Sequence, residues 1–174
     1  MSFRIGHALD SHRLVAGRPL MLGCVAIPFE MGLAGHSDGD AAAHALADAC
    51  LGAAGLGTMG DHFPSTDERW RGVAGREFLR LVSERLAAMG ARVVSAQVAL
   101  TCAAPRLASH LRAMGEEMSA ALGTGPGTVG VTATSGDGMG ASGRGEGIAA
   151  SAVALLEVAD QPQSAGSVTT TAEA

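Results

Sequence analysis

Asp10 and His12 stand two residues apart near the start of the chain, and His36-Ser37-Asp38-Gly39-Asp40 leads into an alanine-rich stretch that holds His44. Residues two apart in a strand point to one face, so Asp10 and His12 share a side. His44 follows Asp40 by four residues, the spacing of one helix face. A carboxylate and two imidazoles converging from a strand and a helix make three ligands with an open fourth position. That is the pattern of a catalytic zinc rather than a structural one. Ser37 or Asp38 is placed to cap the helix, leaving backbone N–H groups at its start free for a phosphate. A metal beside such a helix start predicts phosphoryl chemistry. Asp40 reads as a helix-start residue favoured by the dipole, and Asp48 either as a carboxylate that orients His44 or as a solvated helix position. His7, His62 and His110 read as surface or interface residues.

These side chains need a scaffold, and hydrophobic periodicity supplies its outline. Residues 3–12 read as a strand, with residues 19–27 as a second strand pairing to it across the Gly17 turn. Residues 39–54 form a helix. A second helix over 76–89 carries Phe78, Val82, Leu86 and Met89 as its apolar stripe and stops at Gly90. Val94, Ala96, Val98 and Leu100 alternate with polar neighbours as a strand. Pro105 then opens a third helix bearing Leu107, Leu111, Met114 and Met118. Strands follow at 129–133 and 148–158. The last is apolar on both faces, as expected of a strand covered by helices on one side and by another chain on the other. The two long glycine-rich loops, 55–75 and 136–147, are candidates for function. The expectation is one α+β or α/β domain over residues 1–159, with a polar tail over 160–174 predicted to be disordered.

Composition narrows the function classes. The 174 residues are 47% hydrophobic but only 3% aromatic, so the core must be built from Ala, Val, Leu and Met. A net charge of −5 with no basic run argues against a nucleic-acid partner. No apolar stretch reaches the roughly 18–20 residues of a membrane span, and Asp10 and His12 interrupt any secretory h-region. A cytoplasmic protein is expected, with Cys24, Cys50 and Cys102 as reduced thiols.

Taken together, Arg4-Ile5-Gly6-His7, Asp10-x-His12, His36-Ser37-Asp38-Gly39-Asp40 with His44, Phe63-Pro64-x-Thr66-Asp67, Ala104-Pro105 and Gly143-Arg144-Gly145-Glu146-Gly147 resemble the 2-C-methyl-D-erythritol 2,4-cyclodiphosphate synthase family. The resemblance runs in order from about residue 4 to residue 157. It implies a mixed β-sheet with helices packed on one face, assembled as a homotrimer around a threefold axis with active sites between subunits. It also implies a lyase of the non-mevalonate route of isoprene biosynthesis. The reaction expected is cyclisation of 4-diphosphocytidyl-2-C-methyl-D-erythritol 2-phosphate with release of CMP. The family's zinc ligands match Asp10, His12 and His44. A second metal, magnesium or manganese, travels with the diphosphate and matches Asp137. Thr134 and Ser135 match the positions that hold the phosphates, as do the N–H groups near His36 and Ser37. Ala104, Pro105, Arg106 and Leu107 match the cytosine pocket. Asp38, Thr58, Gly60, Ser65 and Asp67 match substrate-contacting positions. Arg144 either forms an ion pair with Glu146 or lines an anion site.

The same resemblance implies a substrate pocket with fewer carboxylates and hydroxyls. Thr58 and Ser65 stand where the family usually has Asp, Gly75 where it has Ser, and Asp137 where it has the longer Glu. Two further readings follow from these departures: a divergent zinc-dependent cyclase or lyase acting on another nucleotide-activated phosphate, or a non-catalytic ligand-binding trimer.

Overall fold

A computed structural model describes residues 1–159; the predicted disorder of the tail concerns residues outside that range. Five strands form one mixed sheet in the order β4-β1-β7-β5-β6. These are β1 (Ser2–Ala16), β4 (Met31–Leu33), β5 (Ala91–Thr101), β6 (Val129–Thr134) and β7 (Gly147–Val158). Only β5 and β6 run parallel, joined through α4 (Leu111–Ala121); the other pairs are antiparallel. The helices α1 (Ala41–Ala54), α3 (Gly75–Ala88) and α4 pack on one face, as expected. No helix among the described residues is long and apolar enough to cross a membrane.

Small residues make the central contact. In α1 the alanines at 41, 42, 43, 45, 47 and 49 are wholly buried. Gly6 of β1 lies directly beneath this helix, and a Cβ there would come 2.0 Å from the Ala49 carbonyl oxygen. Strand and helix therefore approach more closely than larger side chains would permit. The opposite face of the sheet leaves Phe3, Ile5, Leu9 and Val153 exposed.

Three sequence expectations need correction. Residues 19–27 do not pair with β1; β2 (Leu20–Leu22) and β3 (Val25–Ile27) form a separate hairpin, and β4 takes the place beside β1. The reason is the Gly23-Cys24 turn, where both residues have positive φ, 59° and 64°. That is the backbone of a two-residue hairpin, hidden because Cys is not a usual turn residue. The third long helix does not start at Pro105. It starts at Leu111, because the chain first turns through residues 102–110, where His110 N–H bonds the Leu107 carbonyl at 2.8 Å. Val94 does not share a face with Ala96, because a bulge between Val93 and Ser95 inserts a residue and buries Val93 instead.

Candidate active site

β1 presents Asp10 and His12 toward the helices, and α1 lowers His44 onto them. His12 Nε2 lies 2.9 Å from Asp10 Oδ2, His44 Nδ1 lies 3.2 Å from the same oxygen, and the two ring nitrogens are 3.3 Å apart. The remaining ring nitrogens are held from behind, and for His12 the partner fixes the tautomer. His12 Nδ1 sits 2.6 Å from the Ala34 carbonyl, which can only accept, so this nitrogen carries the proton. His44 Nε2 lies 3.2 Å from Ser37 Oγ, a hydroxyl able to accept its proton when Nδ1 serves as a ligand. In this arrangement His12 Nε2 and His44 Nδ1 both face the same Asp10 oxygen and can offer an ion their lone pairs. Three lone-pair donors facing one another need a cation between them. Ligand atoms around a tetrahedral ion with bonds of about 2.0–2.1 Å stand roughly 3.3 Å apart, which is the spacing of the two nitrogens. The residues fit a metal ion, with both histidines braced from behind as ligating histidines are. Without metal a proton takes that place. The Asp10 hydrogen bond raises His12 above its ordinary 6.5 against the effect of burial. Burial pushes Asp10 up, but both histidines together hold it well below the carboxylate range.

The turn before α1 is organised differently from the expectation. Asp40, not Ser37 or Asp38, caps α1, accepting Ala43 N–H at 3.0 Å. Its fully buried carboxylate also accepts the N–H groups of Gly23 and Cys24 at 2.8 and 2.6 Å, tying the β2–β3 hairpin to the site. Asp38 links the two helix starts: its Oδ1 accepts Asp40 N–H at 3.0 Å and its Oδ2 accepts Gly75 N–H, at the first residue of α3, at 2.8 Å. Asp48 does not orient His44; its Oδ1 accepts Met59 N–H at 2.5 Å and pins the following loop. The His36 and Ser37 N–H groups have no acceptor among the described residues, and Ser37 Oγ touches His44. Two free donors thus lie beside the triad, as a phosphate site requires. The His36 side chain buries its Nε2 without a partner.

The loop over residues 55–75 is more ordered than its composition predicts. It contains α2 (Met59–His62) and a 3-10 turn at Glu68–Trp70. Phe63, Trp70 and Phe78 cluster with ring centroids 5.0–5.9 Å apart, and Phe78 supports His44 at 5.7 Å. Thr58 opens α2 as part of a capping box, with the Asp61 carboxylate 2.8 Å from its N and 2.9 Å from its Oγ1. A carboxylate thus lies beside position 58, supplied from three residues on. Gly60 lies within α2, Ser65 is exposed, and Asp67 is bound by Arg69 at 2.6 Å, which holds its carboxyl below the ordinary value. Gly75 faces the core rather than the site: a Cβ there would meet Ala43 Cβ at 2.7 Å. Its difference from the family pattern is one of helix packing, not of a lost substrate contact.

Pro105, Arg106 and Leu107 line a cavity of about 410 Å³ with Cys102, Thr134 and Ser135. The Ala104 carbonyl accepts the Cys102 thiol at 3.1 Å. Thr134 also borders a cavity of about 470 Å³ whose lining includes Asp10. Asp137 adopts φ of 49° in an exposed loop, and its carboxylate contacts none of the triad. Arg144 pairs with Glu146 at 2.7 Å, the ion-pair alternative of the two expected.

A sequence profile of the YgbB family matches residues 3–157. The chain belongs to the YgbB family. It is 51% identical over 154 residues to the 2-C-methyl-D-erythritol 2,4-cyclodiphosphate synthase of Methylococcus capsulatus, covering 88% of this chain and 98% of that one. Among solved structures it resembles the bifunctional IspDF of Campylobacter jejuni with a TM-score of 0.87 and 33% identity, covering 91% of this chain and 43% of that one. It also resembles a 2-C-methyl-D-erythritol 2,4-cyclodiphosphate synthase in its CDP-bound form, with a TM-score of 0.78 and 41% identity, covering 88% of this chain and all of that one. Membership of the YgbB family and these relatives favour a cyclodiphosphate synthase over a divergent cyclase or a non-catalytic trimer. The YgbB-family domain accounts for nearly all of the described residues.

Proposed function

We propose that this chain converts 4-diphosphocytidyl-2-C-methyl-D-erythritol 2-phosphate to 2-C-methyl-D-erythritol 2,4-cyclodiphosphate and CMP in non-mevalonate isoprene biosynthesis, as a cytoplasmic phosphorus–oxygen lyase. The observation that carries this reading is the lone-pair triad of Asp10, His12 and His44 beside the free N–H groups of His36 and Ser37. The 2-phosphate oxygen attacks the β-phosphorus, and the bond from that phosphorus to the bridging oxygen breaks, leaving the electron pair on CMP. The attacking phosphate is already ionised at neutral pH, so no side chain has to remove a proton. What the protein supplies is alignment and charge neutralisation. The His36 and Ser37 N–H groups and the Thr134 and Ser135 hydroxyls hold phosphate oxygens. Pro105, Arg106 and Leu107 receive the cytosine, and the loop from Thr58 to Asp67 faces the sugars. Asp10, His12 and His44 would hold a zinc ion, and Asp137 a magnesium or manganese ion, whose contribution is Lewis-acid stabilisation of phosphate charge. Metal-loaded protein given the substrate should release CMP in a ratio of one to one with cyclodiphosphate, followed by phosphorus NMR. Free methylerythritol phosphates in place of the ring would show hydrolysis and refute the reading.

The working assembly is a homotrimer. Phe3, Ile5 and Leu9 project from one face of β1 with exposures of 63–71%, beside Val153 of β7. Exposed apolar side chains gathered on one face of the sheet, with His7 between them, call for a protein cover. Sedimentation should give three times the chain mass at micromolar concentration, and Ile5→Asp with Leu9→Asp should give monomers that bind metal yet fail to cyclise substrate. A stable wild-type monomer would refute the assembly.

A further inference from the structure

Arg18 lies between β1 and β2, outside every motif of the candidate site, yet its side chain reaches the turn before α1. Its Nη1 donates to the Gly35 carbonyl at 2.8 Å and its Nη2 to the Ser37 carbonyl at 2.6 Å. The carbonyl between them, that of His36, accepts Gly72 N–H at 2.8 Å. Three consecutive carbonyls are thus tied back. In a trans peptide the N–H points opposite to the C=O, so anchoring the Gly35 and His36 carbonyls turns the His36 and Ser37 N–H groups the other way. Those are the two donors that have no acceptor among the described residues.

Two further observations separate Arg18 from a chance surface contact. Its guanidinium has no carboxylate partner among the described residues, so a full positive charge stands behind the turn. Its backbone is also clamped: a Cβ on Gly32 of β4 would lie 2.6 Å from the Arg18 carbonyl oxygen and 2.3 Å from that of Pro19. The side chain therefore starts from a fixed point, and its planar fork is suited to holding two acceptors at once.

We infer that Arg18 is a positioning residue for the diphosphate of the substrate. It holds the 35–37 turn with its free N–H groups toward the phosphate oxygens and adds a positive charge behind them. The inference rests on the proposed phosphate role of that turn.

Calorimetry on the zinc-loaded protein, comparing CDP with cytidine, tests it. Arg18→Gln should bind CDP about 10- to 100-fold more weakly, the size of one charge-assisted hydrogen bond, while cytidine affinity, melting temperature and metal content stay at wild-type values. Arg18→Lys keeps the charge but not the fork and should fall between. Millimolar guanidinium should restore part of the CDP affinity of Arg18→Gln. Parallel weakening of CDP and cytidine would make Arg18 a fold contact only, and unchanged CDP affinity would give it no role; either overturns the inference alone. Failure of the wild-type protein to bind CDP would overturn the functional reading and this inference with it.

Discussion

His44→Ala should fold and yet lose most of its bound metal and at least about 1,000-fold in cyclising activity. The magnitude follows from removing Lewis-acid stabilisation worth several kcal/mol, at roughly tenfold per 1.4 kcal/mol. Only two ligands would remain, Asp10 and His12, on a strand otherwise unaltered. Metal analysis of the purified variant, with circular dichroism as the control for folding, checks the expectation; stoichiometric metal in His44→Ala would remove the proposed centre. The same centre predicts a pH dependence. Metal binding requires a bare lone pair on His12 Nε2, and in the metal-free protein the Asp10 hydrogen bond raises that group above 6.5. Metal affinity should therefore fall as pH drops through a value above 6.5, earlier than for an isolated histidine. Stability of the metal-free protein should move the opposite way. The His12 contribution is full below 6.5 and is lost as pH rises through the raised value. The Asp10 contribution is present above 3.8 and is lost only as pH falls through its depressed value.

Gly6→Ala should destabilise the fold by about 3 kcal/mol, the upper end for overpacking, and weaken metal binding as well. A methyl group there would come 2.0 Å from Ala49 O, 2.6 Å from Ala53 N and 2.9 Å from Ala53 Cβ. Two of these atoms are helix backbone, which cannot swing aside as a flexible side chain would. Gly6 is absent from the glycines with positive φ, so the cost is steric rather than conformational. The helix must retreat, and His44, five residues before Ala49 on the same helix, retreats with it from Asp10 and His12. Denaturant unfolding together with metal titration checks both effects. A change within about 0.5 kcal/mol, the range of an ordinary surface substitution, would show that the strand–helix contact is not tight.

Local chemistry made much of this protein legible from its residues. Period-two spacing placed Asp10 and His12 on one face, and the helix holding His44 was evident from its alanines and its start. The stripe of Phe78, Val82 and Leu86 and the stop at Gly90 identified α3, because periodicity and a left-handed glycine act within a single turn of chain. The outer apolar face of β1 was not singled out, although the two-sided apolar character of β7 pointed to a covering chain. Tertiary structure decided the matters that depend on long reach. Asp40 became the buried hub of three backbone N–H groups because a hairpin formed 16 residues earlier folds against it. Asp38 reached from Asp40 N–H across to Gly75 N–H at the start of α3, and Asp48 turned from His44 to Met59 N–H, since a carboxylate takes whichever donor packing delivers. Asp61 came to rest beside Thr58 and restored a carboxylate to that loop. Arg18 carried no signal at all, because a long side chain that binds carbonyls leaves no periodicity, and its partners lie 17 and 19 residues away. Residue spacing could name the members of the candidate triad, but the bonds that aim them run between segments that only the fold brings together.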